Sequence, residues 1–462
     1  MTQQSAFQLQ VDQNEYLPEG GTVMDAVITV TSGSGTAELP ADGRADRAGA
    51  GGSGGEPTAA QVIVVDCSGS MTGTRLVEAK RATEAAIDGL REGVAFAVVA
   101  GSGYGAMAYP MATETVEARP ATRRAAKQAV RRLHAGGGTA IGSWLWIASQ
   151  VFDTVTAEIK HAILLTDGKN EHETATQLEQ ALGRCRGQFV CDARGVGSNW
   201  VASELRTVAD ALLGTADGLK DPSELAADFA SMTAAAMGKR VANVSLRLWT
   251  PKDSQIRFFK QVFPQVVELS AAATQGRTAD YPTGAWGDES RDYHLCVEVP
   301  AGSVGSEMLA ARVSIVVGDQ VAGQQLVRAV WTEDSALSTR ITPQVAHYTG
   351  QAELASAIQE GLAARDAGDD DTATAKLGRA VQLADESGHE DTAKLLARVV
   401  DVVDAGTGTI RLKREAEQVD SEIANVRSVK TVRVKKSDID PTDPWRGQHG
   451  AERGQGEHAG GE

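Results

Sequence analysis

The chain has 462 residues, a length that favours two to four domains over a single core. Its formal net charge of −16 argues against sequence-independent binding to nucleic acid or anionic lipid, because both depend on clustered Lys and Arg. No segment approaches the roughly 18 apolar residues of a membrane span, and the first residues lack a signal-peptide pattern. We therefore expect a cytoplasmic protein that contacts neither nucleic acid nor a membrane.

The first part of the chain predicts strands followed by a linker. Residues 7–31 alternate apolar and polar side chains in two runs separated by EGG, which is typical of two strands and a turn. Two strands are not stable alone, so we predict that segment 1–31 completes a β-sandwich formed later in the chain. Residues 32–60 are rich in Gly and Ala without periodicity and predict a flexible linker.

The middle of the chain predicts an α/β domain inserted in an antiparallel sandwich. Over residues 61–239, apolar runs such as QVIVVD, AFAVVA and HAILLTD alternate with helical segments, which predicts a doubly wound parallel sheet. Over residues 240–345 the period changes to two, as in VSLRLW and DYHLCVEV, which predicts an antiparallel β-sandwich. The α/β domain then lies between the two sequence segments that build the sandwich.

The last part of the chain predicts helices and a tail. Residues 346–406 repeat apolar side chains at helical spacing and predict a small helical bundle. Residues 407–462 combine a mixed-charge segment, compatible with a helix, with a Gly-rich polar end, and we predict a charged, largely flexible tail there.

The four cysteines predict buried thiols. They form no CxxC pair and lie mostly in strand-like apolar runs: Cys67, Cys185, Cys191 and Cys296. This pattern is typical of free buried thiols rather than of disulfides or zinc ligands. A redox role for Cys185 and Cys191 is the alternative.

Three segments place oxygen-bearing side chains where strands or helices of the α/β domain end. They are DCSGS at 66–70, GGGTA at 136–140 and LLTDG at 164–168. The carboxyl ends of strands in a doubly wound sheet meet at one edge, so these loops can converge. The candidate ligands are Asp66, Ser68, Ser70, Thr139 and Asp167. Two carboxylates and three hydroxyls without a soft ligand suit a hard cation, Mg²⁺ or Mn²⁺.

In their order and placement, DxSxS, the later Thr and the Asp of TDG resemble the metal-ion-dependent adhesion site of von Willebrand factor A (vWA) domains. The resemblance covers about residues 61–239 and implies a Rossmann-like fold of the bacterial cytosolic type. It implies that Ser68 and Ser70 bind the metal directly, Thr139 directly or through water, and Asp66 and Asp167 largely through water. A partner's Asp or Glu carboxylate would complete the octahedron.

The resemblance therefore implies a metal-dependent interaction scaffold and no enzymatic activity. Family analogy suggests AAA+ ATPases among its partners. Two alternatives stay open: a hydrolase that uses a Mg²⁺-activated water, and a structural module whose metal only stabilises loops. Each fragment alone is also compatible with ordinary caps and turns, since Ser and Asp after a strand are common there.

Further residues are candidates for partner contact. The loop GSGYG carries Tyr104, and Glu171, His172 and Trp200 lie on loops expected at the same edge. In the basic stretch VKTVRVKKSD, Thr431 is a candidate phosphorylation site, which a phosphothreonine-binding protein would recognise.

Overall fold

A computed structural model of the chain describes residues 7–33, 57–413 and 415–433. Most of the predicted linker, residues 34–56, and the end of the predicted tail, residues 434–462, lie outside the described residues. The described part begins with three strands: β1 (Phe7–Gln13), β2 (Tyr16–Pro18) and β3 (Val23–Ser32).

An α/β domain follows, with a seven-stranded sheet. Its strands are β4 (Ala59–Asp66), β5 (Ala95–Gly101), β6 (Gly105–Tyr109), β7 (Val116–Glu117), β8 (Ile159–Thr166), β9 (Val190–Val196) and β10 (Ala216–Leu219). Its helices are α1 (Thr74–Gly89), α2 (Pro120–Arg131), α3 (Ile141–Asp153), α4 (Ala175–Cys185), α5 (Ala202–Ala211) and α6 (Leu225–Met237). The main order is β10-β9-β8-β4-β5-β6, and β7 also pairs with β5. The first five strands of that order run parallel, whereas β6 and β7 run antiparallel to β5.

Burial on both faces explains the apolar sequence of the central strands. All eight residues of β4 are buried, because helices α3, α4 and α5 cover one face of the sheet and α1, α2 and α6 cover the other. Such strands read as continuous Val and Ile runs rather than as an alternation. The carboxyl ends of β4 and β8 lie side by side, and this edge carries the candidate site.

Two antiparallel sheets form the sandwich, and the three N-terminal strands belong to them. The later strands are β11 (Val241–Trp249), β12 (Gln255–Phe263), β13 (Val267–Glu268), β14 (Ala273–Gln275), β15 (Thr278–Trp286), β16 (Glu289–Glu298), β17 (Glu307–Val317) and β18 (Gln320–Thr332). The sheets have the orders β1-β3-β16-β12-β13 and β14-β15-β11-β17-β18-β2. The pair β18 and β2 is parallel. The predicted fold class is therefore confirmed: an α/β domain is inserted in a β-sandwich and a helical module follows.

The C-terminal part has more structure than the sequence indicates. It contains α7 (Ser335–Ser338), α8 (Pro343–Asp366), α9 (Asp370–Glu386), α10 (Glu390–Val399), β19 (Val400–Asp404), β20 (Thr409–Leu412) and α11 (Gln418–Arg427). The prediction of a largely flexible tail from residue 407 is wrong over its first part. Val419, Ile423 and Val426 of α11 are buried in the core on one face of the α/β sheet, so this helix is held by apolar packing.

Residues 428–433, which we term the C-terminal strap, connect three parts of the molecule. Thr431 N donates to Pro264 O in the sandwich at 3.0 Å, and Val432 N donates to Gln351 Oε1 in the helical module at 3.1 Å. Lys430 Nζ lies 2.6 Å from Asp217 Oδ2 in the α/β domain. The strap thus fixes the α/β domain against both neighbours.

Within the parts of the chain that the structure describes, no helix has the length and apolar character needed to cross a lipid bilayer.

Candidate metal centre

Asp66 ends β4 and organises the loop that follows. Its side chain is fully buried. Oδ1 accepts a hydrogen bond from Ser68 N at 2.7 Å, and Oδ2 accepts one from Thr166 Oγ1 at 2.7 Å. The first contact turns the chain directly after the strand, as Asp side chains do when they accept from the backbone two residues on. The second ties β4 to β8. The carboxylate therefore fixes the position of the DxSxS segment.

Asp167 lies opposite, at the end of β8, and is also fully buried. Its Oδ1 accepts from Ser70 Oγ at 2.6 Å, and Ser70 Oγ lies 3.0 Å from Ser68 Oγ. Its Oδ2 accepts from Arg75 Nη1 at 2.7 Å. The structure thus brings both acids and both serines of the predicted set into one continuous network.

Thr139 reaches the same place from the Gly-rich loop. That loop is anchored over the DxSxS segment, because Gly69 N donates to Gly137 O at 2.9 Å and Gly136 N donates to Cys67 O at 2.7 Å. A Cβ placed on Gly168 would lie 3.2 Å from Thr139 Oγ1 and 3.4 Å from Ser70 Oγ. Both hydroxyls therefore flank Gly168, whose lack of a side chain leaves room between them.

The arrangement has the chemistry that a hard cation requires. The Ser70 hydroxyl donates a hydrogen bond to Asp167, so Ser68 Oγ is the donor in the contact between the two serines and one lone pair of Ser70 Oγ is left for an ion. Burial raises the pKa of Asp66, its hydrogen bonds lower it in part, and the charge of Asp167 raises it further. A divalent cation would offset that repulsion. The described residues contain no cluster of three or more His, Cys, Asp or Glu, so any metal here depends on hydroxyl ligands.

Three of the four predicted contact residues lie at the surface. Tyr104 is 69% exposed, between β5 and β6, and Glu171 and His172 are exposed. His172 borders the site directly, because its Nδ1 accepts from Thr139 N at 3.2 Å and its ring occupies the space that a Cβ on Gly138 would fill. That these residues contact a partner stays a prediction.

Trp200 is a core residue, so the prediction that it contacts a partner is wrong. It is fully buried, and its Nε1 donates to Gly197 O at 3.0 Å. Its ring lies against Gly195 and Gly218, where an added Cβ would come within 2.2 Å and 2.1 Å of ring atoms. Trp200 therefore fills the space between β9, β10 and the start of α5.

Thr431, the candidate phosphorylation site, is also buried. Its Oγ1 donates to Val262 O at 2.6 Å, and only 8% of the residue is exposed. A kinase would reach this hydroxyl only if the C-terminal strap detached. Recognition of phosphorylated Thr431 by a binding module thus requires a prior opening.

The four cysteines are free and buried, as the sequence predicts. Burial raises the pKa of Cys67 to about 12 and that of Cys185 to about 11, and it raises the pKa of Cys191 well above its usual value. Thiolates are the reactive form, so these residues are poor nucleophiles and poor metal ligands at neutral pH.

Sequence reasoning did not identify two residues of the network, Thr166 and Arg75. Thr166 directly precedes Asp167 in the TDG segment, and a hydroxyl at the end of an apolar strand was a usable signal for it. Arg75 is nine positions beyond Asp66, and its reach depends on where α1 begins. No periodicity in the sequence predicts that contact.

Comparison with known proteins places this fold in a family. The model of the von Willebrand factor type A domain matches residues 60–217, and that of the von Willebrand factor type A C-terminal domain matches residues 382–428. A solved structure, described as von Willebrand factor type A from Catenulispora acidiphila, is 49% identical with a TM-score of 0.85 and covers 94% of this chain and 98% of its own. The chain belongs to the von Willebrand factor type A family.

Other relatives of this vWA protein are more distant. The ArnB paralog VWA2 from Sulfolobus acidocaldarius shares 12% identity with a TM-score of 0.56, covering 92% of this chain and 98% of that one, and it shows the fold alone. The uncharacterized protein sll0103 from Synechocystis is 28% identical over 216 residues, 45% of this chain and 49% of the relative. The chain spans about half the length of this curated relative.

The two segments matched by the family models are in contact in the structure. The C-terminal match contains α11, and the buried side chains of this helix share a core with β4, β8 and α5 of the vWA domain. Arg206 of α5 also donates to Asn425 O of α11 at 2.9 Å. The C-terminal family segment is therefore packed on the vWA domain through both apolar and polar contacts.

Proposed function

We propose that this vWA protein is an interaction scaffold that binds a partner protein through a divalent cation. The cation, Mg²⁺ or Mn²⁺, would be held by a set that we term the metal ligands: Asp66, Ser68, Ser70, Thr139 and Asp167. A carboxylate from the partner's Asp or Glu would complete its coordination. Bound there, the ion supplies an electrophilic contact for that carboxylate.

The observation that carries the proposal is the direction of the Ser70 hydrogen bond. Ser70 donates a hydrogen bond to the buried carboxylate of Asp167, so the hydroxyl hydrogen of Ser70 points toward that carboxylate. The Ser70 oxygen can therefore bind a cation through a lone pair. Thr139 Oγ1 also lies beside Gly168. Neutral hydroxyl ligands neutralise little of a divalent charge, so an ion held by them keeps its affinity for an external anion.

The surroundings of the metal ligands suit a protruding acidic side chain. Gly69, Gly136 and Gly137 are exposed and carry no side chain that would block approach. His172 borders this opening, and the loop that carries the exposed Tyr104 approaches it, since a Cβ on Gly137 would lie 3.6 Å from Gly103 N. Tyr is enriched at protein interfaces, which favours Tyr104 as a contact.

Hydrolysis has less support. A metal-activated water needs a base to take its proton. Both oxygens of Asp66 and both oxygens of Asp167 accept hydrogen bonds from protein donors, and His172 Nδ1 accepts one from Thr139 N. We therefore propose a binding protein rather than an enzyme, and absence of phosphoester turnover with Mg²⁺ is the expected result.

The test is retention of a partner from the native lysate. Wild type and Asp66→Ala are compared with Mg²⁺ and with EDTA, and Asp88→Ala, an exposed acid on α1, is the matched control. We expect one protein, an AAA+ ATPase for example, to be retained only by wild type and Asp88→Ala with Mg²⁺. Circular dichroism checks that each variant is folded.

Equal retention under all conditions would contradict the proposal. It would show that the metal ligands do not form the recognition surface. Retention that EDTA leaves unchanged while bound metal is lost would favour the alternative in which the metal only stabilises loops.

A further inference from the structure

Arg75 supplies a positive charge inside the candidate metal centre. It lies in the first turn of α1, and its Nη1 is 2.7 Å from Asp167 Oδ2 and 3.2 Å from Ser70 O. The Arg75 side chain is 29% exposed, whereas that of Asp167 is fully buried. One of the proposed metal ligands, Asp167, is therefore already paired with a positively charged side chain of the protein.

Glycine at position 197 allows this contact. An added Cβ on Gly197 would lie 3.1 Å from Arg75 Nε and 3.4 Å from its Cζ, so the guanidinium passes directly over the backbone at the end of β9. This backbone has φ of +76°, a conformation that also favours glycine. The backbone at the end of β9 thus packs against the Arg75 guanidinium and holds it beside Asp167.

The charges at the site give Arg75 a specific consequence. Two carboxylates and one guanidinium sum to one negative charge, and a divalent cation turns this sum into one positive charge. A single carboxylate from outside then restores neutrality. Without Arg75, the two acids and the ion would already be neutral, and an additional anion would gain less from binding.

We propose that Arg75 couples the metal ion to the partner's carboxylate. It weakens binding of the ion alone, because like charges repel, and it strengthens binding of an anion to the metal-loaded site. This inference rests on the proposed function. It assigns to Arg75 the role of making the ion and the carboxylate bind together rather than separately.

The experiment measures Mn²⁺ affinity of the full chain by isothermal calorimetry and by electron paramagnetic resonance of free Mn²⁺. Acetate serves as the carboxylate probe, with chloride at equal ionic strength as its control. The variants are Arg75→Gln, which removes the charge, Arg75→Lys, which keeps it, and Arg81→Gln. Arg81 is the matched control, since it lies on the exposed face of the same helix and pairs with Glu78.

We expect Arg75→Gln to bind Mn²⁺ about tenfold more tightly than wild type without acetate, since removing a like charge a few ångströms from a divalent ion is worth at least that factor even in a water-like dielectric. Acetate should tighten Mn²⁺ binding in wild type and in Arg75→Lys, and clearly less in Arg75→Gln. Arg81→Gln should match wild type in both conditions.

Equal or weaker Mn²⁺ binding by Arg75→Gln overturns the inference, as does an equal acetate effect in all four proteins. Absence of saturable Mn²⁺ binding by wild type overturns the proposed function and this inference with it, whereas binding that Arg75→Gln leaves unchanged overturns the inference alone. If Arg75→Gln does not fold, Arg75→Met, which keeps the apolar stem, replaces it.

Discussion

Replacement of Trp200 tests its assignment as a core residue. The side chain is fully buried, and the β9 and β10 backbone lies against its ring at Gly195 and Gly218. A sheet backbone cannot move inward to fill the cavity left by Trp200→Ala, so the loss of stability should lie at the upper end of the range for Trp truncation, about 4–5 kcal/mol. Part of that loss comes from the indole hydrogen bond to Gly197 O.

Urea unfolding followed by circular dichroism measures this loss, and hydrogen exchange of β9 and β10 amides locates it. The matched control is Trp146→Ala, because Trp146 lies on α3 and is 37% exposed. The Cζ of Arg184 lies over its ring, 5.3 Å from the ring centroid. That substitution should cost about 1 kcal/mol or less. A folded Trp200→Ala that loses less than about 1 kcal/mol and fails to retain a partner would refute the core assignment.

Three further predictions concern the C-terminal module. Burial raises the pKa of Glu422, so the contribution of this group to stability should be full below its unfolded pKa of about 4.3 and be lost as pH rises through the folded value. Glu422→Gln should remove that fall and raise the stability of the chain near neutral pH, measured by urea unfolding at a series of pH values, and an unchanged pH profile would contradict this. Gly361→Ala should cost about 1–3 kcal/mol, because its Cβ would lie 2.7 Å from a leucine of α9, whereas Gly350→Ala on the same helix has open space and should stabilise by about 0.5–1 kcal/mol. Equal effects of the two glycine variants in urea unfolding would refute this packing argument. Thr431→Glu would place a charge in a buried position and should release the C-terminal strap, seen as faster amide exchange over residues 428–433; unchanged exchange would show that the strap tolerates it.

The sequence predicts most of the fold because its periodicities reflect burial directly. Continuous Val and Ile in QVIVVD correspond to a strand covered on both faces, and alternation in VSLRLW corresponds to a strand buried on one. The insertion of the α/β domain also follows, since β1 and β3 need partners. What the sequence does not predict is the burial of α11, because the mixed charges of this segment resemble those of a solvated tail. Its charged residues pair with groups from other elements, as Arg427 does with Asp217, and no local pattern encodes such contacts.

Some residues of the candidate site are also predictable from the sequence, and others are not. The metal ligands are each attached to a strand or helix end that the sequence locates, so their approach to one another is predictable. Trp200 misled the prediction because a Trp in a loop after a strand commonly lies at the surface, and its burial depends on Gly195 and Gly218. Arg75 was missed because its contact with Asp167 joins two elements 92 residues apart.

The insertion has a consequence for synthesis of the protein. Strand β3 pairs with β16, Val23 opposite Glu298 and Ser32 opposite Glu289, so the partners are roughly 260–275 residues apart in the chain. At about 5–20 residues per second, β3 leaves the ribosome roughly 15–55 seconds before its partner. All of the α/β domain is synthesised before β16 emerges, so the domain has time to fold in that interval. Only the packing of α11 onto it has to follow later. The nascent N-terminal strands meanwhile keep unpaired backbone edges, which makes this stage of synthesis the one most exposed to aggregation and to capture by chaperones.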